Sequence, residues 1–193
     1  MMISQFVKKL FQDWKSEEDG AVAVETILML PILAWTYFAM MQFFHAYRHE
    51  SISFKANITI ADMFSREADY ISPSYIDGAK SLLDFLSPID DDPELRVTAF
   101  RWNEDDDEYQ VAWSKERGSR GALTTDDLAG ETDRIPIMYD GEMALLVETW
   151  IDYEPIFNIG MTGREMNAFT VISPRFTTQV CYNVGNDPST QEC

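Results

Sequence analysis

The chain has 193 residues, room for one ordinary domain and an appended segment. It carries 15 Lys and Arg against 33 Asp and Glu, a formal charge of −18, which argues against nucleic acid as a partner because phosphate binding needs clustered positive charge. Aromatics at 13% and hydrophobics at 46% exclude a disordered acidic tail, and two cysteines exclude both a disulfide-dense mini-fold and a four-cysteine zinc site.

Residues 1–20 form a polar leader ending in KSEEDG. Ala21 to Phe44 then read AVAVETILMLPILAWTYFAMMQFF, with Glu25 as the single charge. As a helix this run is about 36 Å long at roughly 1.5 Å per residue, enough for a hydrocarbon core of about 30 Å. It is too long for the apolar core of a cleavable secretory signal, and the following FFHAYRHE offers no good cleavage site. The sequence therefore predicts a retained single-span anchor in a lipid bilayer. Lys8, Lys9 and Lys15 precede the span, while Arg48 and Lys55 follow it, a narrow excess favouring a cytoplasmic N-terminus. A long acidic stretch ending in two cysteines suits an oxidising exterior.

Glu25 admits two readings. An acid at the bilayer centre costs roughly 2.5–3.5 kcal/mol, less near the boundary, where its carboxylate would reach the headgroups. If instead the chain is cut between Gly20 and Ala21, Glu25 becomes the fifth residue, one helical turn from a new α-ammonium. Carboxylate and ammonium on adjacent helices would neutralise each other where water is scarce. Pro31 would loosen the helix locally by removing one backbone hydrogen bond.

The block Gly20-Ala21-Val22-Ala23-Val24-Glu25 ahead of an apolar helix resembles the type IV prepilin pattern, with a glycine at the cleavage site and a glutamate five residues beyond. The short hydrophilic leader and the AVAVE start look most like the TadE/TadF-type pseudopilins of tight-adherence (Flp) pilus systems. Ile60–Arg66 (IADMFSR), Ala144–Tyr153 (ALLVETWIDY) with Glu154-Pro155, and Ser173–Phe176 (SPRF) are similar to segments of TadE-like proteins. The resemblance covers most of the chain, and only Gly20–Glu25 is specific. It implies cleavage and N-methylation by a prepilin peptidase and a minor role in pilus assembly. It further implies other pilins, pseudopilins and inner-membrane assembly proteins as partners. The corresponding location is the bacterial inner membrane, with a cytoplasmic N-terminus and a periplasmic C-terminal domain, or the extracellular pilus itself. Some members of the wider group are uncleaved anchors. The chain departs from the prepilin pattern in Glu17-Glu18-Asp19, where basic residues are usual, and in Ala21, where an aromatic is usual.

Residues 45–70 are ambiguous. Ile52, Phe54, Ala56, Ile58 and Ile60 alternate as in a strand, whereas Phe54, Ile58, Ala61, Ser65 and Ala68 form a helical stripe. No Gly or Pro falls between Pro31 and Pro73, so the reading is a helix continuing out of the span. Ser74 is expected to open a second helix, SYIDGAKSLLDFL, with Asp77 at the capping-box position and Ser87-Pro88 as its stop. Leu95–Trp102 and Tyr109–Ser114 alternate around the acidic connection NEDDDE and read as a hairpin. Lys115–Glu131 reads as a long loop. Glu142–Tyr153 is the best strand, with Phe169–Ile172 and Phe176–Tyr182 as further edges. Residues 71–193 are thus expected to form an α+β domain, an antiparallel sheet packed on helices.

Candidate chemistry is sparse. His45 and His49 share a helical face as a zinc pair would, but Ala46, Tyr47 and Arg48 fill the gap that a zincin gives to glutamate, and an interfacial belt accounts for them better. Asp90–Asp92 and Glu104–Glu108 could collect calcium, yet lack the spaced ligands and turn glycine of an EF-type loop, and read as solvated acid runs. Cys181 and Cys193 are expected to pair in an exported chain; free thiols or a bond to another subunit are the alternatives. No catalytic residue, metal or cofactor is assigned. The reading is a non-enzymatic minor pseudopilin in which Ala21, Ala23, Ala34 and Ala39 permit close helix approach and Glu25 sets register. An uncleaved signal-anchored adaptor of a pilus or secretion system is the second reading. A membrane-tethered hydrolase using a carboxylate pair such as Asp90 and Glu148 is the third.

Overall fold

The computed structural model describes residues 18–87, 92–157, 160–185 and 188–193, with backbone alone at 18–21 and 188. Of the sequence expectations, most of the leader, Pro88, Asp90 and Asp91 lie outside the described residues. The chain divides into two compact units, Met1–His45 with Ile156–Gly160, and Ala46–Pro155 with Met161–Cys193.

Helix α1 (Glu18–Ser65) runs for 48 residues with Pro31 inside it. The helix/strand ambiguity after the apolar run resolves as helix, which ends at Ser65 rather than near residue 70. Its last turns tighten, with the Arg66 and Glu67 N–H groups bonding to the carbonyls of Met63 and Phe64. The buried stripe differs from the expected one. Ser53, Ala56, Asn57, Ile60, Ala61 and Phe64 are buried, whereas Phe54 and Ile58 are exposed. Counting apolar residues misplaces the stripe because Asn57 is buried through its hydrogen bonds. Its Nδ2 donates to the Val147 carbonyl at 3.1 Å and to Thr149 Oγ1 at 3.2 Å, which offsets the cost of hiding the amide's N–H groups.

Helix α2 (Pro73–Leu86) is capped by Ser72, whose side chain accepts from the Tyr75 N–H, with Pro73 in the first turn. That corrects the expected start at Ser74: proline needs no N–H partner at the first helical position, so the cap falls one residue before it. Asp77, expected in a capping box, instead pairs with Arg117. Ile76, Ala79 and Leu83 give the helix its buried face.

Strands β1 (Glu94–Asn103), β2 (Glu108–Arg117), β3 (Met143–Tyr153) and β4 (Arg164–Ile172) form one antiparallel sheet in the order β2-β1-β3-β4. At the β1–β2 turn Asp107 adopts φ 53°, a conformation that aspartate tolerates. The odd-numbered residues Leu95, Val97 and Ala99 of β1, and Met143, Leu145 and Val147 of β3, meet Ala56, Ile60 and Phe64 of α1 and the buried face of α2 in the main core. Helices and sheet therefore pack as the α+β reading expects.

The opposite sheet face is also covered. Phe100, Ala144 and Leu146 pack under Leu123, Leu128, Ile135 and Met138. All four come from the connection between β2 and β3: Leu123 and Leu128 from the Lys115–Glu131 stretch expected as a long loop, Ile135 and Met138 from the residues just after it. The connection contains helix α3 (Thr125–Leu128), capped by Thr124 and Asp127 in a reciprocal capping box, and a 3-10 turn at Ala129–Arg134. A short ribbon of β5 (Tyr182–Asn183) and β6 (Gln191–Glu192) closes the tail, so only the end of the expected Phe176–Tyr182 edge is strand.

Candidate functional site

The first unit presents an unusual surface for a protein in water. From Val22 to Phe44 α1 has Glu25 as its single charge and apolar residues on every face, and its most apolar stretch is unburied. Ile27, Leu33, Trp35, Tyr37 and Phe44 are each more than 60% exposed. A helix that is apolar all round requires an apolar environment around it. By length and composition α1 can cross a membrane.

Within this helix the backbone shows how the sequence meets that environment. Thr26 and Thr36 turn their hydroxyls back onto the carbonyls of Val22 and Ile32, both at 2.8 Å, so neither presents an unsatisfied polar group outward. The helix passes through Pro31 without a break. The Gly20–Ala21 bond lies in the first helical turns, inside α1 rather than in an extended segment.

Glu25 is exposed and lies beside a shallow depression lined by Thr26, Met29, Leu30, Leu33 and Ala34. At about 100° per residue, Glu25, Met29, Ile32, Thr36, Ala39 and Phe43 recur alternately every four and three residues on one face, exposed except at the half-buried Ala39. Ala23 and Ala34 lie together on a different face. The small residues therefore do not make one stripe, and only Ala39 among these three shares the Glu25 face.

A third face carries an intramolecular contact that sequence reasoning missed. The Phe157 ring, from the loop joining β3 to β4, packs against Phe38 with centroids 5.8 Å apart. The Phe157 N–H donates to Gln42 Oε1 at 3.3 Å, and Gln42 is only 3% exposed. The available signal is a glutamine in an otherwise apolar run.

In the second unit two of the segments quoted for the family resemblance meet. Asp62 and Arg66 of the IADMFSR segment pair at 2.8 Å, and Arg175 of the SPRF segment reaches Asp62 at 2.7 Å. The Arg175 N–H also donates to the Ser65 carbonyl at 2.8 Å. These residues clasp the end of α1 to the segment that follows β4, a structural role requiring residues more than a hundred positions apart.

The remaining candidates have structural partners. His49 stacks on Tyr153 at 5.6 Å, and among the described residues no group of three or more potential metal ligands converges. Glu148 lies directly across from Arg96 in the sheet and pairs with it at 2.7 Å, both side chains largely buried. That contact ties β1 to β3, while its suggested partner Asp90 lies outside the described residues. Asn103 Oδ1 accepts the N–H groups of Asp105 and Asp106, organising the acidic run as a turn.

A second charge cluster surrounds Trp150, with the Arg96 and Arg120 guanidiniums 5.1 and 5.0 Å from its ring. Glu94 is held there by Ser119, whose N–H and hydroxyl both donate to it, and by Arg120 at 2.7 Å. Burial would raise the Glu94 carboxyl, but these donors outweigh it and hold the group below its ordinary value. Burial and the Glu67 carboxylate push the Tyr75 hydroxyl up to about 12.

Cys181 and Cys193 are joined in a disulfide, with Cα atoms 4.4 Å apart. The closed tail is fixed at several points. The Ile71 N–H donates to the Cys181 carbonyl and the Asn183 N–H to the Ile71 carbonyl, both at 2.9 Å, and Trp113 Nε1 donates to the Val180 carbonyl at 2.8 Å. Comparisons with known protein families, curated proteins and solved structures return no match for this chain.

Proposed function

We propose that this chain is a non-enzymatic, membrane-anchored assembly protein of the TadE-like pseudopilin kind. In this reading α1 crosses the inner membrane from a cytoplasmic leader, and the acidic α+β domain stands in the periplasm. The observation that carries it is the combination of the Gly20–Glu25 block with an apolar helix whose Glu25 face is exposed at Glu25, Met29, Ile32, Thr36 and Phe43. A lone carboxylate at the head of such a helix is costly unless it is solvated at the boundary or paired. Cleavage after Gly20 by a prepilin peptidase would create the pairing ammonium on a neighbouring pilin or pseudopilin. The exposed seam from Met29 to Phe43 would supply the helix–helix packing.

N-terminal mass analysis of membrane-extracted protein, from cells with an active prepilin peptidase, tests the processing step. The expected product begins at Ala21 and carries an N-methyl group, and replacing Gly20 by a bulky residue leaves the full-length chain. An intact Met1 start in the wild type would overturn processing and leave an uncleaved signal-anchored adaptor. The assembly role is tested by Glu25→Ala. This variant is expected to insert normally and to lose crosslinks from Val24 to partner helices, because the partner's ammonium is left unpaired in a low-dielectric setting. Unchanged crosslinking and pilus formation would falsify the assembly role.

A further inference from the structure

The Phe38–Phe157 contact places a loop beside a segment that belongs, on the reading above, inside lipid. The midpoint of the Ala21–Phe44 run falls between Ile32 and Leu33. Half of a hydrocarbon core of about 30 Å is about ten residues of helix at roughly 1.5 Å each, so the outer boundary falls near Gln42. Phe38 then lies about 6 Å inside it. Phe157 packs on that ring, and its neighbour Ile156 is 59% exposed. No charged residue occurs between Glu154 and Arg164.

We propose that the β3–β4 loop is a second membrane contact, in which Ile156 and Phe157 enter the outer edge of the bilayer beside α1. The partner is the acyl-chain region of the lipid, not a particular headgroup. Apolar side chains exposed at this depth gain by leaving water, and insertion of about 5–10 Å is the usual depth of interfacial apolar groups. Backbone entering this zone must have its polar groups satisfied. Gln42 does this for the Phe157 N–H. This explains why a buried glutamine stands four residues from the aromatic on which the loop rests. The anchor would thereby be fixed in rotation as well as depth, since the loop takes one face of α1 and leaves the Glu25 face open.

The proposal rests on α1 being a membrane span, and the test separates the two claims. Full-length protein, with its native disulfide intact, is reconstituted in phosphatidylcholine–phosphatidylglycerol vesicles. A nitroxide is attached to a single cysteine introduced at Ile156, Phe157, Leu33 or Asp105. Collision with oxygen reports lipid, and collision with a water-soluble nickel chelate reports water.

Labels at 156 and 157 are expected to fall between Asp105 and the deeper Leu33, with an oxygen-to-nickel ratio severalfold above that of Asp105, unchanged on diluting protein in lipid. Nickel access at both 156 and 157, with Leu33 still shielded, overturns the loop proposal and leaves the anchor intact. Nickel access at Leu33 overturns both. Shielding at 156 and 157 that disappears on dilution assigns the loop to a second copy of the chain and overturns the lipid partner.

Discussion

At the scale of single residues, Glu94 shows how a charged group is held in the second unit. Its two oxygens accept from Ser119 and Arg120, and its side chain is 20% exposed. Gly118, at φ 155°, lies so close that a Cβ there would meet the Glu94 side chain at 2.7 to 2.8 Å. The glycine therefore leaves room for the carboxylate to reach Ser119. Because the folded state lowers the Glu94 pKa, its contribution is present above the ordinary glutamate value of about 4.3 and is lost as pH falls through the folded value. Glu94→Gln is expected to lower unfolding stability near neutral pH by about 1 kcal/mol, the value of a partly exposed charge-assisted hydrogen bond. It should also flatten the acid limb of the stability–pH profile below about pH 4.3. Chemical denaturation of the detergent-solubilised protein across pH 3 to 8 measures both, and an unchanged acid limb would show that other carboxylates govern it.

At the scale of elements, what was legible follows from which interactions leave a local trace. The β1–β2 hairpin alternates around an acidic turn, and β3 is apolar enough to announce a central strand; both stand where the sequence puts them. Helix α1 continues past the apolar run because neither glycine nor proline interrupts it. Its buried face was not legible, since Ser53 and Asn57 look solvent-facing by type, and only the fold shows that both are buried and that the β3 backbone gives Asn57 a partner. The covering of the second sheet face was equally hidden. Leu123, Leu128, Ile135 and Met138 are too widely spaced to show a period, and they become a core only when α3 folds over Phe100 and Leu146. Of the candidate site, the long apolar helix and the cysteine pair were legible from composition. The Gln42–Phe157 contact was not, because it joins positions 115 residues apart.

The tail ribbon gives the prediction belonging to this scale. The Cys181–Cys193 bond closes a loop with a sequence separation of 12. Such a link stabilises chiefly by restricting the unfolded chain, typically by about 2–4 kcal/mol. Cys181→Ser with Cys193→Ser is expected to lower stability within that range while leaving the sheet in place, since the Ile71 and Trp113 contacts do not need the bond. Near-native strand content by circular dichroism with a lowered denaturation midpoint is the expected result. Loss of the sheet signal would mean that the ribbon holds the domain together.

At the scale of the whole molecule, charge is separated along the chain. Five of the 33 acids and three of the 15 basic residues precede His45, leaving 28 acids against 12 basic residues beyond it. A domain of that charge repels its own copies, while the proposed assembly brings neighbouring helices together through an apolar seam and one ion pair. The two effects have different ranges. The seam and any pairing at Glu25 act at contact in a medium without salt, whereas repulsion between domains acts through water and is screened over about 30 Å at 0.01 M and about 8 Å at 0.15 M ionic strength. Self-association in detergent or nanodiscs is therefore expected to strengthen as salt rises over this interval. Glu25→Ala should weaken it at every salt concentration without altering the slope. Sedimentation equilibrium across that range reads both. Association that weakens with salt would show that ion pairs between domains, rather than the helix seam, hold the copies together. A partner less acidic than this chain would escape the repulsion, so mixed assembly should exceed self-association most clearly at low salt.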